Sequence, residues 1–484
     1  MDNKTTDSKV VVTNFIWNLM ERWGAQGVTF IVSIILARLL EPSVYGIVAL
    51  ATVFTAILGV FIDSGLGSAL VQKKDADDKD FSTVFFFNIT MCSVLYIIVF
   101  FLAPLIASFY KMPELTPVVR VSSLTLIISG FKNILISVIQ RNLKFKKFFF
   151  ATLGGTIGAA VVGITMAFLG FGVWALIAQS LFNSSVDTII LWITVGWRPK
   201  KYFSFARLKV LLPFGVRMLG TTLIGTLYLK LRDLIIGKKY SATDLAFYTK
   251  GSGWPNLLFV NIGGAVDSVM FPVISRAQDD LLLVRNIMSR TIRINTYVVF
   301  PLLVGLALCA EPAVSIILTP KWLPIVEYMR IFCFTSACDA VHNTQINMIR
   351  SIGKSKLYLR LDIIKKVIGF SILLIAMTIS VKAIAYSLML TKIIELSINI
   401  VIVKKILSYP INEQIKDVSM NVLLCVLMAI PLVLISFFSM PDFVKILVEI
   451  LVGVSVYLIA SKVLKVESYQ TVKGVLKKII ERKK

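Results

Sequence analysis

Charge is scarce in this chain, and histidine and cysteine are scarcer still. Of its 484 residues only 16% are Asp, Glu, Lys or Arg, against about 25% in ordinary soluble domains. No polar stretch exceeds roughly 20 residues, which leaves no room for a soluble domain of useful size. There is one histidine, His342, and there are five cysteines. No two cysteines form a CxxC pair and most lie in apolar runs. They suggest neither a zinc site nor a disulfide framework and read as small apolar fillers. GxSxG, Walker and HExxH motifs are absent, and no acidic cluster suits a metal. No catalytic constellation and no cofactor is therefore expected. Without an ATP site, any transport runs on a gradient or on the free energy of the substrate itself.

What the chain has instead is apolar length. It is 57% hydrophobic, with a mean hydropathy of +0.83. Apolar runs of about 20 or more residues recur from end to end, each long enough to cross a hydrocarbon core of about 30 Å as a helix. Residues 1–9 are polar, and the apolar stretch after them is too long for a signal peptide, so it reads as the first retained span. The fold class expected is an all-α polytopic membrane protein with fourteen spans: 12–39, 45–71, 82–108, 115–139, 148–169, 173–195, 210–236, 245–273, 288–309, 323–349, 358–379, 383–403, 418–438 and 443–464.

The net charge of +24 raises the question of nucleic acid, and its distribution answers it. One set of connections is basic: QKKDADDKD, RNLKFKK, WRPKKYFSFARLK, residues 276–293, RSIGKSKLYLR, KKILSYPINEQIK and the tail. The alternating set, EPSVY, YKMPE, GFG, GKKYSATD, EPAVSIILTPKW, VKA and MPDFVK, is nearly free of cations. The split is about 31 Lys and Arg against about 6, which by the positive-inside rule puts both termini in the cytoplasm. The charge is a cytoplasmic face near anionic lipid, and no nucleic-acid partner is expected. The tail from Val466 to Lys484 carries Val472, Val475, Leu476, Ile479 and Ile480 on one helical face, with Lys473, Lys477 and Lys478 around it. That pattern suggests an amphipathic helix on the inner leaflet or a solvated helix.

A weak internal repeat divides the chain. ARLLEPSVYGIVALA (37–51) and GKKYSATDLAFYTKG (237–251) each leave a span, turn and re-enter. GLGSALVQ (65–72) lies a similar distance before GAVDSVMFPVIS (264–275). Six spans repeated give an N-lobe over 1–205 and a C-lobe over 206–410. Two further spans fill 411–465 and the basic amphipathic tail fills 466–484. Two parallel lobes around a midplane cavity is a transporter plan.

Polar residues inside the spans mark candidate site positions. Span 1 carries Asn14, Asn18, Arg22, Gln26, Thr29 and Ser33 on one helical face, with Glu21 beside Arg22. Span 7 carries Arg217, Thr221, Gly225, Tyr228 and Arg232, and a neighbouring stripe runs through Thr222, Thr226, Lys230 and Asp233. Span 4 adds Lys132 and Asn133. Span 8 adds Tyr248, Lys250, Ser252, Asn256, Asn261 and Asp267. Span 10 adds Thr335, Asp339, Asn343 and Asn347. Isolated Ser and Thr fit interhelical hydrogen bonding. Charged stripes need water or partners. For Lys230, Arg232 and Asp233 two readings stand: a local Arg232–Asp233 or Lys230–Asp233 pair with snorkelling, or a cationic cavity wall. Asp63 in span 2 reads as an arginine partner or a proton site. His342, beside Asp339 and Asn343, reads as a satisfied structural residue rather than a proton relay. Gly154–Gly155 and Gly263–Gly264 read as close helix packing.

The segments ILARLLEPSVYGIVALA, FIDSGLGSALVQKKDADDKDFSTVFFFN, QRNLKFKKF, GFGVWALIAQSL, LRDLIIGKKYSATDLAFY and AEPAVSIILTPKW occur in this order across about residues 14–410. Together they resemble the Wzx-type lipopolysaccharide and O-antigen flippases of the multidrug/oligosaccharidyl-lipid/polysaccharide exporter superfamily. The match departs at Ala246, where that family usually has a glycine. The resemblance implies a flippase that moves undecaprenyl-pyrophosphate-linked oligosaccharide from the inner to the outer leaflet of the bacterial cytoplasmic membrane by alternating access. It also implies membrane lipid as a partner, with polysaccharide polymerase and glycosyltransferase partners beside it. From their stripe positions, not from the family's motifs, Asn18, Arg22, Gln26, Lys132, Arg217, Tyr228, Lys230, Arg232, Lys250, Asn256 and Asn343 are expected to form a polar, cationic cavity. Glu21, Asp63, Asp233, Asp267 and Asp339 are ion-coupling or charge-pair positions. A drug/cation antiporter of the same fold and a lipid II flippase are the alternatives. The antiporter would usually place an Asp in span 1, where this chain has Glu21 and Arg22. A membrane glycosyltransferase would call for larger outer loops bearing carboxylates.

Overall fold

The computed structural model describes the backbone of residues 8–62, 65–73, 75–142 and 145–481. It describes side chains within that range except those of 8–23, 145–147, 264–269, 271–272, 355 and 475–481. The regular structure of this range is helical, and the chain divides into two compact units, Met1–Ala246 and Phe247–Lys484.

The first unit holds α1 (Ser8–Leu39), α2 (Pro42–Ile62), α3 (Leu66–Gln72), α4 (Asp78–Tyr110), α5 (Leu115–Ser122), α6 (Leu124–Arg141), α7 (Phe145–Phe168), α8 (Val173–Thr194) and α9 (Phe205–Lys239). The second spans most of α10 (Ala242–Arg276) and all of α11 (Leu281–Leu308), α12 (Ala310–Leu318), α13 (Ile325–Ser351), α14 (Ser355–Ala376), α15 (Val381–Leu407), α16 (Ile411–Ser436), α17 (Asp442–Val463) and α18 (Glu467–Glu481). Each expected span falls on one helix or, for spans 2 and 4, on two. Among the described residues, ten helical segments are long and apolar enough to cross a membrane. Helices α10, α13 and α14 are not among the ten, because charged and polar residues interrupt their apolar windows, and α1 enters only as a shorter apolar stretch, Gly24–Leu39. Outward-facing Phe101, Ile193, Leu229 and Ile375 are all more than two-thirds exposed, as a surface bathed in lipid requires.

Local chemistry sets the element ends. Helix α4 begins in a capping box: the Asp77 carboxylate accepts from the Lys79 and Asp80 amides at 3.1 and 3.0 Å. The Asp80 carboxylate accepts from the Asp77 amide at 3.2 Å. Helix α10 begins the same way, Ser241 and Asp244 each accepting from the other's backbone amide at 3.0 and 3.2 Å. Ser380 caps α15 by accepting from the Ala383 amide at 3.0 Å, and Asp280 caps α11 by accepting from the Leu283 amide at 2.9 Å.

Span 2, expected to be continuous over 45–71, is broken between α2 and α3. Gly65 sits there with φ +73°, a left-handed conformation that costs a residue with a Cβ. A Cβ at this position would also meet the Met218 side chain at 2.7 Å. At Gly46 the close neighbour is backbone. The Gly46 Cα lies so near the start of α10 that a Cβ would fall 1.8 Å from the Ala242 carbonyl oxygen. The close-packing reading of Gly155 holds: a Cβ there would meet the Asn183 backbone oxygen at 3.0 Å, so α7 and α8 approach backbone to backbone.

The boundary between the compact units falls after Ala246, so α9 packs with the first unit, against α2, α3 and α4. The C-terminal segment forms the expected helix, α18. The apolar residues at its start, Val466, Tyr469 and Val472, pack with Tyr297, Leu424 and Tyr457 of the second unit. This end of the tail is docked on protein.

Candidate functional site

In the first unit the polar stripe of α9 is a connected group. Lys230 Nζ lies 3.1 Å from Asp233 Oδ2, an i, i+3 pair. That leaves Arg232 without the acid beside it in sequence. Arg232 is only 4% exposed, and its guanidinium carbon stands 5.6 Å from the centre of the Tyr228 ring. Its Nε and Nη2, and the Tyr228 hydroxyl, have no hydrogen-bond partner among the described residues. Each unmet buried donor costs about 1–3 kcal/mol, and more when charged. A cation–π contact returns about 0.5–2 kcal/mol. The arrangement is therefore an electropositive donor group with unspent hydrogen-bonding capacity. Arg217, four turns earlier, is exposed and its Nε donates to the Pro213 carbonyl of its own helix at 3.1 Å.

Lys132 on α6 stands apart from this group. Its ammonium lies 2.5 Å from Asp187 Oδ2 on α8, and the Asp187 side chain is 7% exposed. Asp187 was not singled out in the sequence. The signal was present, an acid in the middle of an apolar span, but its partner lies 55 residues away. Gln26 is half-buried on α1. The side chains of Asn18, Glu21 and Arg22 lie outside the described residues, as do Asp63 and the side chain of Asp267.

In the second unit Lys250 is half-buried, with Nζ 6.0 Å from the Trp322 ring centre. Asn256 is exposed and Asn343 half-buried. Asp339 is drawn into a network that sequence reasoning largely missed. Lys392 Nζ on α15 lies 2.8 Å from Asp339 Oδ1 and 3.1 Å from Glu395 Oε2. One turn further, Asn399 is fully buried and bridges two bases. Its Oδ1 accepts from Lys365 Nζ on α14, and its Nδ2 lies 3.1 Å from His342 Nδ1 on α13. Residues 392, 395 and 399 are spaced 3 and 4 apart, one face of a helix, and that spacing was available in the sequence.

The connections rich in cations are clasped by their own acids. Asp80, wholly buried, lies 2.7 Å from Lys73 and 3.0 Å from Arg207 at the start of α9. Lys200 pairs with Asp78 at 2.8 Å, and Arg141 donates to the Leu70 and Lys73 carbonyls at 2.9 and 3.0 Å. QKKDADDKD is thus tied to WRPKKYFSFARLK within the first unit. In the second unit Arg293 joins Asp417 at 3.6 Å and Glu467 of the tail helix at 2.6 Å. The Asp80 amide, donating to the Asp77 carboxylate, holds that carboxyl below the usual aspartate range, with Arg207 adding to the effect. A depressed carboxyl stabilises the fold fully above its unfolded value of about 3.9. That contribution is lost as pH falls through the lower folded value.

Removing the buried member of the clasp is the sharper test. Asp80→Ala is expected to cost about 1–3 kcal/mol, because Lys73 and Arg207 are left sharing a site and can only partly turn to water. Thermal unfolding of the purified protein at neutral pH reads this directly. An unchanged midpoint would show that the clasp contributes nothing to stability.

A family model described as polysaccharide biosynthesis protein matches residues 35–327. The succinoglycan biosynthesis transport protein ExoT of Rhizobium meliloti (strain 1021) is 24% identical over 351 residues, covering 72% of this chain and 71% of that one. The lipopolysaccharide biosynthesis protein WzxC of Escherichia coli (strain K12) is 20% identical over 358 residues, covering 71% of this chain and 72% of that one. Among solved structures, the inward closed conformation of the lipid II flippase MurJ has a similar fold. It gives a TM-score of 0.74 at 16% identity, covering 94% of this chain and 98% of that one.

Proposed function

The chain belongs to the polysaccharide biosynthesis protein family, and on that premise we propose that it is a flippase for undecaprenyl-pyrophosphate-linked oligosaccharide. It carries the repeat unit from the inner to the outer leaflet by alternating access, as a transporter with no covalent chemistry of its own. The observation that carries this reading is the likeness, over more than two-thirds of both chains, to a protein named for succinoglycan transport. The membrane is the bacterial cytoplasmic membrane, and both termini face the cytoplasm, where the basic connections lie. The two six-span repeats, 1–205 and 206–410, are read as an ancestry that the compact units need not follow. A polymerase and glycosyltransferases of the same pathway are the proposed partners.

The physical task supports the assignment of roles. A sugar hydroxyl taken into hydrocarbon without a partner costs about 4–8 kcal/mol, and a glycan carries many. The pyrophosphate adds charge, which is costlier still. The path therefore needs hydrogen-bonding side chains and cations, while the polyprenyl chain stays in lipid. Arg232 is the anion-binding group best supported, a buried guanidinium with donors unspent. Arg22, Arg217, Lys230 and Lys250 supply further positive charge, and Asn18, Gln26, Tyr228, Asn256 and Asn343 supply hydrogen bonds. Lys132 contributes only if its bond to Asp187 opens.

A charged head group makes the transport rate sensitive to voltage, by about 2.3 kcal/mol per charge per 100 mV. In reconstituted vesicles, an inside-negative potential is expected to speed outward movement of an undecaprenyl-pyrophosphate-linked trisaccharide, and the reversed potential to slow it. A rate indifferent to polarity would rule out movement of the head group as a net anion.

A further inference from the structure

The second unit contains a buried base whose hydrogen-bond partner is not an acid. Lys365 is 4% exposed, and its amine donates to the Asn399 carboxamide oxygen. The acids near it are engaged elsewhere. Asp362 on the same helix is held by Lys366 at 2.7 Å, and Glu395 and Asp339 share Lys392. Among the described residues, the other helices packed here add no free charge. Helix α11 presents Asn295, bonded to the Ala340 carbonyl at 2.9 Å, and α16 presents Gln414, bonded to Gln345 at 3.4 Å. The charged groups of those two helices, Arg285, Arg293, Glu413 and Asp417, bind one another or the tail. Arg290 and Lys416 are exposed.

The amide between the two bases imposes a rule. A protonated amine has only donors, so Asn399 must turn its oxygen to Lys365 and its NH2 to His342. The imidazole then has to accept at Nδ1, and its proton sits on Nε2. If Nδ1 takes a proton, the amide must rotate to offer its oxygen there. Its NH2 then faces Lys365, which can accept only as a neutral amine. With both bases protonated, one donor would point at another in a site of low dielectric.

We infer that Lys365, Asn399 and His342 form a single-proton site, in which the Asn399 amide makes protonation of the two bases mutually exclusive, and that the transport cycle exchanges this proton with water. In the exchange, Lys365 gives its proton to water, the amide turns over, and His342 Nδ1 takes a proton from water. The total on the pair stays at one. Releasing that proton without replacement on one side of the membrane, and rebinding on the other, would tie the cycle to a proton gradient. This last step rests on the flippase reading; the shared proton does not.

His342 is the chain's one histidine, so isotope-labelled histidine gives a single imidazole in the spectrum of the full chain, purified without a histidine tag. Wild type is expected to show Nδ1 as an acceptor and the proton on Nε2. Lys365→Met should raise the midpoint of His342 protonation by about one pH unit or more, a tenfold gain in proton affinity. Arg360→Met removes an exposed charge of the same sign on the same helix, outside the hydrogen-bonded trio, and should leave the midpoint in place. In an Asn399→Ala background the effect of Lys365→Met should fall by at least half. An undiminished shift there would mean charge acting through space and would overturn the shared site. So would a midpoint that Lys365→Met does not move. If Lys365→Met fails to insert, Asn399→Ala alone is decisive. It should abolish the Nδ1 hydrogen-bond signature, and an unchanged signature overturns the bridge.

The coupling is read in vesicles at clamped zero potential with an undecaprenyl-pyrophosphate-linked trisaccharide. A pH gradient should speed wild type several-fold and leave Lys365→Met unaffected. Transport that ignores the gradient while the pair titrates as described would overturn the coupling alone. Absence of translocation by wild type in any gradient would instead remove the flippase reading on which the coupling rests, and the resonance arm would still decide the proton site.

Discussion

Arg232→Gln is expected to slow translocation by about tenfold or more, with insertion and folding intact. A charge-assisted hydrogen bond is worth about 1.5–3 kcal/mol, and each 1.4 kcal/mol is a factor of ten. Among the described residues of the first unit, Arg232 is the cation that is buried and still has unpartnered donors. Glutamine keeps a donor but removes the charge, so the contact proposed for the head group would be weakened. Lys230→Gln should cost less, because that amine is already held by Asp233 at 3.1 Å. Arg232→Lys should recover part of the rate as a point charge without the planar fork. The measurement is initial rate per inserted protein. An unchanged rate in Arg232→Gln would make the residue structural and move the anion site elsewhere.

Gly46→Val is expected to be the most damaging single change to the fold, costing more than about 3 kcal/mol. The obstacle is backbone. A Cβ would lie 1.8, 2.3 and 2.8 Å from the oxygen, carbon and Cα of Ala242, and a main chain capped by Ser241 and Asp244 cannot step aside. Helix α2 would have to lift off the start of α10. Gly253→Ala and Gly305→Ala are the controls. Nothing stands within 4 Å of either Cβ position, and alanine in a helix interior gains about 0.5–1 kcal/mol over glycine. Thermal unfolding should order the three variants accordingly. Tolerance of Gly46→Val would show that the close approach is not required.

Much of this architecture was open to reading because lipid writes its demand on every turn of a spanning helix. Runs of apolar residues located the helices, and alternation of basic and neutral connections grouped the loops that the structure ties together. QKKDADDKD and WRPKKYFSFARLK fell in one basic set, and Lys73, Asp80 and Arg207 join them. The Lys230–Asp233 pair was legible as an i, i+3 neighbour. The break at Gly65 was not, since hydropathy runs on across a turn that only φ reveals. Lys132–Asp187 and Lys365–Asn399–His342 were also hidden. A stripe on a helix states which face is polar and is silent on which helix meets it. Partners 34 to 57 residues apart are a property of packing. For the same reason the sequence could not name Asn399 as the group set against His342. The physical rule that charges in a span need partners predicted that such partners exist and left them unnamed.

The central claim is that this chain moves an anionic, lipid-linked glycan. The most direct measurement is the appearance of the glycan on the far side of the membrane. The purified chain is reconstituted with undecaprenyl-pyrophosphate-linked trisaccharide confined to the inner leaflet, and a glycosidase added outside reports arrival. The account predicts cleavage that depends on the protein and exceeds that of protein-free vesicles by orders of magnitude. It also predicts no exchange of an organic cation such as ethidium for protons by the same vesicles. Vesicles that exchange ethidium for protons while the glycan stays inside would contradict the account and identify a cation antiporter on the same fold.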